Sequence, residues 1–84
     1  MSYSIQIKKS AEKDFNRLPE KIKQKISEAI LELETNSQPA GSKKLKNREE
    51  YRVRIGDYRV IYFIDEEQKQ IFVSIIGHRK GVYK

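Results

Sequence analysis

The stretch YRVRIGDYRVIYFID, residues 51–65, constrains the fold most strongly, because apolar and polar side chains alternate on both sides of its Gly-Asp pair. This alternation predicts two antiparallel strands, 51–55 and 58–64, joined by a two-residue turn. Side chains then segregate by parity, and one face of the hairpin carries Arg52, Arg54 and Arg59. The opposite face, which helices can cover, carries Tyr51, Val53, Ile55, Tyr58, Val60, Tyr62 and Ile64.

The rest of the chain predicts the element order β-α-α-β-β-β. Residues 3–8 alternate like a strand, Ser10 suits a helix N-cap, and Pro19 suits the first turn of a second helix. The turn-forming stretch 35–42 predicts a loop, whereas residues 70–77 predict a final strand. We therefore expect an α+β fold in which two N-terminal helices pack on one face of a small, mainly antiparallel sheet and leave the other face open.

Length and composition narrow the possible classes of protein. A chain of 84 residues can build one core, so we expect a single domain over residues 1–84. The absence of cysteine excludes disulfides, thiol nucleophiles and zinc–thiolate sites. No stretch approaches the roughly 18 apolar residues of a membrane span, and the first residues lack the apolar run of a secretory signal, so we expect a cytoplasmic protein without membrane contact. The net charge of +6 favours a polyanionic partner such as nucleic acid.

The clustered arginines allow two interpretations. Directly opposed like charges, such as Arg54 and Arg59, destabilise a sheet by a few tenths to about 1 kcal/mol. The face is either an ordinary solvated surface that pairs with nearby acidic residues or a phosphate-binding surface. Residues 43–59 contain seven cations and three anions, and guanidinium groups bind phosphate oxygens in pairs, which favours phosphate. His78, the one histidine in the sequence, is either a hydrogen-bonded turn residue or an acid–base group.

Four motifs together make the chain similar to a known family: K-L-K at 44–46, Y-R-V-R at 51–54, G-D-Y-R-V-I-Y at 56–62 and G-H-R-K-x-V-Y at 77–83. The combination resembles the RelE/ParE toxins of bacterial and archaeal toxin–antitoxin systems, and the predicted element order extends the resemblance over nearly the whole chain. The resemblance implies a RelE-like fold and a RelB-like antitoxin as partner. It also implies contact with operator DNA only through the toxin–antitoxin complex.

In the RelE branch, which the chain resembles, the toxin enters the ribosomal A site and cleaves mRNA there. Cleavage uses no metal or other cofactor, because a ribose 2′-hydroxyl attacks the adjacent phosphate. The resemblance thus implies an endoribonuclease whose partners are the ribosome and mRNA. The catalytic positions of the family match Arg52, Arg54, Arg59, Arg79 and Tyr83, with His78 as a possible acid or base. Contacts with mRNA or ribosomal RNA are implied for Lys43, Lys44, Lys46, Arg48 and Lys80.

One departure from the family and two other functions stay open. The best-studied bacterial RelE proteins carry lysines at the positions of Arg52 and Arg54, and arginine, unlike lysine, does not release its proton to act as a base. The general base is therefore not identified. The ParE branch shares the fold but inhibits DNA gyrase and needs no RNA-cleaving residues. A basic RNA-binding module without enzymatic activity is the second alternative.

Overall fold

The computed structural model of the protein describes residues 2–39, 41–45 and 50–78. Along the chain the elements are β1 (Ser4–Ile7), α1 (Lys9–Asn16), α2 (Glu20–Leu33), β2 (Lys43–Lys44), β3 (Glu50–Ile55), β4 (Tyr58–Asp65) and β5 (Gln70–His78). The predicted α+β fold, with two helices packed against a mainly antiparallel sheet, is confirmed. The two-residue strand β2 is an addition, because the sequence predicted a loop there.

The sheet has the strand order β1-β5-β4-β3-β2. β1 runs parallel to β5, and the other neighbouring strands are antiparallel. The central hairpin has the predicted register, in which Arg54 pairs with Arg59 and Val53 with Val60. Its turn uses Gly56 with φ of 61°, a left-handed conformation that glycine adopts without steric penalty.

Both helices begin differently from the prediction. α1 begins at Lys9 with Lys8 as its N-cap, so the prediction of Ser10 as the cap was wrong. The Lys8 N–H donates to the Val73 carbonyl at 2.9 Å, so the chain passes from the sheet into the helix without a separate capping residue. Pro19 occupies the N-cap of α2 instead of its first turn. Neither cap residue makes a side-chain hydrogen bond, so packing stabilises these helix ends more than capping does.

The hydrophobic core lies between the helices and one face of the sheet. The helices contribute Ala11, Ile26, Ile30 and Leu33, and the sheet contributes Val53, Val60, Tyr62, Ile71, Val73 and Ile76. Tyr62 is completely buried, and its hydroxyl donates to the Ser37 carbonyl at 2.8 Å. This bond ties the loop after α2 to the sheet and satisfies a polar group that burial would otherwise destabilise.

A β-bulge in β5 decides which side chains reach the open face. Ile61 pairs with Ile75 and Tyr62 pairs with Val73, so Ser74 is the extra residue between them. Val73 and Ile76 accordingly both face the core although three positions separate them. Among the helices described here, none is long and apolar enough to cross a membrane.

Candidate functional site

The three sequence-predicted arginines of the hairpin lie together on the sheet face that the helices leave open, hereafter the arginine face. Arg54 is exposed, Arg52 is half-buried, and Arg59 is only 6% exposed. The Nε atoms of Arg52 and Arg59 are shielded from solvent. The environment of these guanidinium groups is therefore graded, from the well-hydrated Arg54 to the enclosed Arg59.

Ile61 is an apolar residue of the arginine face that is shielded from solvent. It lies outside the core cluster, on the same face as Arg59, and yet is 1% exposed. Its cross-strand neighbours are Arg52 on β3 and Ile75 on β5. Long arginine stems that lie over an apolar floor lose less freedom on binding than side chains that extend into water, because packing already restricts them.

The residue paired with Arg59 on β5 adds no side chain to the arginine face. Arg59 pairs with Gly77 on β5, which has no side chain. Gly77 does not adopt a positive φ, since the described glycines that do are Gly41 and Gly56. Its backbone therefore accepts other residues, and the effect of glycine at this position is that β5 places no side chain next to Arg59.

A carboxylate borders the arginines and is hydrogen-bonded. The Ser74 hydroxyl lies 3.0 Å from Oε2 of Glu50 and 3.1 Å from the Ile61 carbonyl oxygen. Since Ser74 is the bulge residue, the bulge turns this hydroxyl toward β3 and β4. The sequence pattern did not identify Glu50, Ser74 or Gly77 as parts of the site, because only the register of β4 against β5 brings them there.

The two lysines of β2 point in opposite directions. Lys43 pairs with Arg52 and lies on the arginine face, whereas Lys44 pairs with Tyr51 and lies on the helix side. The predicted site residues Lys46, Arg48, Arg79, Lys80 and Tyr83 lie outside the described residues.

The structure does not bring His78 to the arginines. Simple alternation from Ile71 and Val73 would place His78 on the arginine face, but the bulge at Ser74 reverses the parity after it. His78 instead pairs with Tyr58, and the two rings contact edge to face with centroids 5.4 Å apart. Within residues 2–39, 41–45 and 50–78, no three His, Asp or Glu side chains are grouped as metal ligands would be.

Comparison with known proteins gives concordant results. The sequence model of a family described as the ParE toxin of the type II toxin-antitoxin system parDE matches residues 5–83. The chain is 38% identical to a putative toxin RelE1 of Methanocaldococcus jannaschii, over 100% of this chain and 98% of the relative. It is 33% identical to a toxin RelE of Mycobacterium tuberculosis, over 98% of this chain and 87% of the relative.

The fold matches that of a solved structure whose sequence is also similar to this chain. The toxin-like chain in the crystal structure of an archaeal RelE–RelB complex from Pyrococcus horikoshii superposes with a TM-score of 0.84 at 30% identity. The superposition covers 94% of this chain and 97% of the other. The helices and the sheet thus belong to one shared architecture.

Proposed function

The chain belongs to the RelE/ParE superfamily of toxins from type II toxin–antitoxin systems, and on that basis we propose that it is an endoribonuclease that cleaves mRNA in the ribosomal A site. The observation that supports this proposal most directly is the arrangement of three arginines on one open sheet face, with Arg59 enclosed. Opposed cations destabilise a sheet on their own, and a bound phosphate would offset their repulsion.

The proposed reaction needs no metal. The 2′-oxygen of a ribose attacks the adjacent phosphorus, the bond to the 5′-oxygen of the next nucleotide breaks, and the products carry a 2′,3′-cyclic phosphate and a 5′-hydroxyl. The proton of the 2′-hydroxyl goes to a base, and the leaving 5′-oxygen takes up a proton. Negative charge increases on the phosphate oxygens in the transition state, so guanidinium groups fixed beforehand stabilise it more than they stabilise the substrate.

Burial assigns different tasks to the arginines. Arg59, enclosed and paired across the strands with Gly77, is the group we assign to the scissile phosphate. Arg54 and Arg52 are more accessible and hold that phosphate or its neighbours. From the family resemblance, Arg79 assists the leaving oxygen and Tyr83 stacks on a base.

The proton acceptor lies outside the three hairpin arginines, because a guanidinium does not give up its proton. His78 faces the helix side and contacts Tyr58, so it is poorly placed to serve as this base. We assign the role to Tyr83 or to a group of the ribosome, where the toxin acts mainly by positioning the substrate. This proposal places the protein in the cytoplasm with the ribosome and mRNA.

The proposed protein partner is a RelB-like antitoxin, as in the solved complexes of relatives. On the helix side, a groove of about 340 Å³ is lined by Ile7, Phe15, Ser27, Ile30 and Leu31. Leu31 is 59% exposed and Ile7 38%, which is unusual for such large apolar residues. We assign this groove to an apolar segment of the antitoxin, and assign operator DNA binding to the complex alone. Leu31→Asp should weaken antitoxin binding in a pull-down and leave mRNA cleavage intact.

Primer extension on mRNA bound to translating ribosomes tests the proposed activity. The wild-type chain should produce cuts linked to codon position, and Arg59→Ala should abolish most of them while the protein remains folded. Lys43→Ala and Lys44→Ala form a matched pair, because adjacent exposed lysines lie on opposite faces. Only Lys43→Ala should reduce cleavage. RNA that is bound but never cut by the wild-type chain would indicate a non-enzymatic module instead.

A ParE-type activity is the second candidate, because the matching family description names ParE toxin. Such a toxin would inhibit DNA supercoiling by purified gyrase and leave mRNA ends unchanged. Measuring both reactions with the same preparation separates the candidates. Inhibition of gyrase that survives Arg59→Ala, together with intact mRNA, would replace the RelE-type proposal.

A further inference from the structure

The open face of the sheet carries a pair of contacting phenylalanines beside the arginines. Phe63 on β4 and Phe72 on β5 are cross-strand partners, and their ring centroids are 6.4 Å apart at an interplanar angle of 46°. Phe63 is 37% exposed, and neither ring belongs to the core cluster or to the residues packed against it. The pair therefore presents aromatic surface to solvent on the same side as Arg59.

A groove of about 290 Å³ borders Phe72 at the β1 edge of the sheet, and its lining supplies several kinds of interaction. It is lined by Gln6, Ile7, Lys8, Phe72, Val73 and Ser74. Gln6 pairs with Phe72 across the strands, and Lys8 is an exposed cation. An aromatic ring, an amide and an ammonium group at one edge match the ring, the base edge and the phosphate of a nucleotide.

We infer that Phe63 and Phe72 form a stacking subsite for an unpaired nucleobase that flanks the scissile linkage, with Gln6 toward the base edge and Lys8 toward a phosphate. The inference rests on the proposed function, since the RNA chain must reach the arginine face. Aromatic side chains on adjacent strands of an open sheet are a recurrent way to bind single-stranded RNA, because every base has a face that can stack.

The spacing agrees with an occupant that reaches the arginines. Four residues separate Arg59 from Phe63 along β4, or about 13 Å at the rise of a strand. A few nucleotides cover this distance at the ~3.4 Å spacing of a stacked strand. Two acidic side chains of the open face each accept a hydrogen bond: Glu50 accepts from the Ser74 hydroxyl, and Asp65 accepts from the Gln68 N–H at 3.1 Å. The apolar rings thus receive a base, while phosphates pass toward Lys8 and the arginines.

Binding of short RNA to the free toxin tests the subsite without requiring cleavage. The probe is a fluorescent single-stranded oligonucleotide with a 2′-O-methyl group at every ribose, which removes the attacking hydroxyl, and a series carries one abasic residue at each position in turn. Phe72→Leu keeps apolar volume but removes the ring. Gln24→Ala is the control, because Gln24 is an uncharged, exposed residue of α2 on the helix side.

Stacking predicts a specific coupling between the protein variant and the RNA variant. Phe72→Leu should weaken binding between about fivefold and a hundredfold, and one abasic position should weaken wild-type binding by a similar factor. The two changes combined should have no further effect, since both remove the same contact. Gln24→Ala should bind like wild type. If Phe72→Leu unfolds the chain, as judged by circular dichroism, Phe63→Leu provides the same test.

Several outcomes would overturn the inference. They are wild-type affinity in the Phe72 and Phe63 variants, independent losses for the ring and the base, and no measurable binding of any probe by the wild type. Loss of antitoxin binding with unchanged RNA binding would assign the rings to the protein partner. The proposed function fails separately: if the wild type does not cut mRNA on ribosomes, that proposal falls, whereas normal cutting with no abasic coupling removes only the stacking subsite.

Discussion

The difference in burial between Arg59 and Arg54 predicts unequal losses when each is replaced by alanine. Both arginines lie on the arginine face as direct cross-strand partners, so the variants remove the same charge from neighbouring positions. Arg59 is 6% exposed, whereas Arg54 is exposed to solvent. A guanidinium about 4 Å from a phosphate contributes about 4 kcal/mol at an effective dielectric constant near 20, but about 1 kcal/mol in bulk water.

These energies translate into rates of cleavage. Since each 1.36 kcal/mol corresponds to a factor of ten, Arg59→Ala should slow mRNA cleavage by about 10³-fold and Arg54→Ala by about fivefold. The assay is single-turnover cleavage on programmed ribosomes with saturating toxin, followed by primer extension. Thermal unfolding of each variant controls for loss of structure.

Salt distinguishes an enclosed charge from a hydrated one. The effect of Arg54→Ala should shrink as KCl is raised above about 0.1 M, because the Debye length falls below about 10 Å. The effect of Arg59→Ala should persist, since salt screens the interactions of a buried charge much less than those of an exposed one. Equal losses for both variants, or a larger loss for Arg54→Ala, would refute the argument that burial sets their contributions.

Three further predictions concern other parts of the molecule. Tyr62→Phe should lower the free energy of unfolding by about 1–2 kcal/mol in urea titrations, because the Ser37 carbonyl loses its donor. Burial also raises the pKa of Tyr62, so the neutral phenol stabilises the fold below about pH 10. This contribution is lost as pH rises through the pKa of the folded state, and the stability of Tyr62→Phe should therefore fall less over that pH range than the stability of the wild type. Gly77→Val should slow mRNA cleavage about tenfold or more by adding a side chain to the arginine face next to Arg59, with unchanged antitoxin binding as control. The Tyr3 hydroxyl donates to Oε1 of Glu66 at 2.7 Å and lowers the pKa of that carboxyl, and Lys69 also contributes. The wild type therefore loses stability as pH falls below about 4.3, and Glu66→Gln should reduce this loss in acid unfolding.

Local patterns predicted much of the fold. Alternation in residues 51–65 was sufficient for the hairpin, its register and the face on which Arg52, Arg54 and Arg59 lie, because parity in a strand is a local property. The sequence also predicted a second helix after Pro19, and its buried positions, Ile26, Ile30 and Leu33, recur at helical spacing. The N-cap of α1 was not predicted, since the backbone N–H of Lys8 donates to the carbonyl of Val73, a residue far away in sequence.

The basic face of the hairpin, which is the open face of the sheet, follows from the sequence, because the alternation of apolar and polar side chains lies in consecutive residues. Which other residues lie on or beside that face depends on contacts between distant parts of the chain. Pairing of β4 with β5 introduces the bulge at Ser74, which turns His78 away from the arginines and sets Gly77 beside Arg59. The 6% exposure of Arg59 is likewise a property of the folded chain, and no short stretch of sequence carries a signature for it.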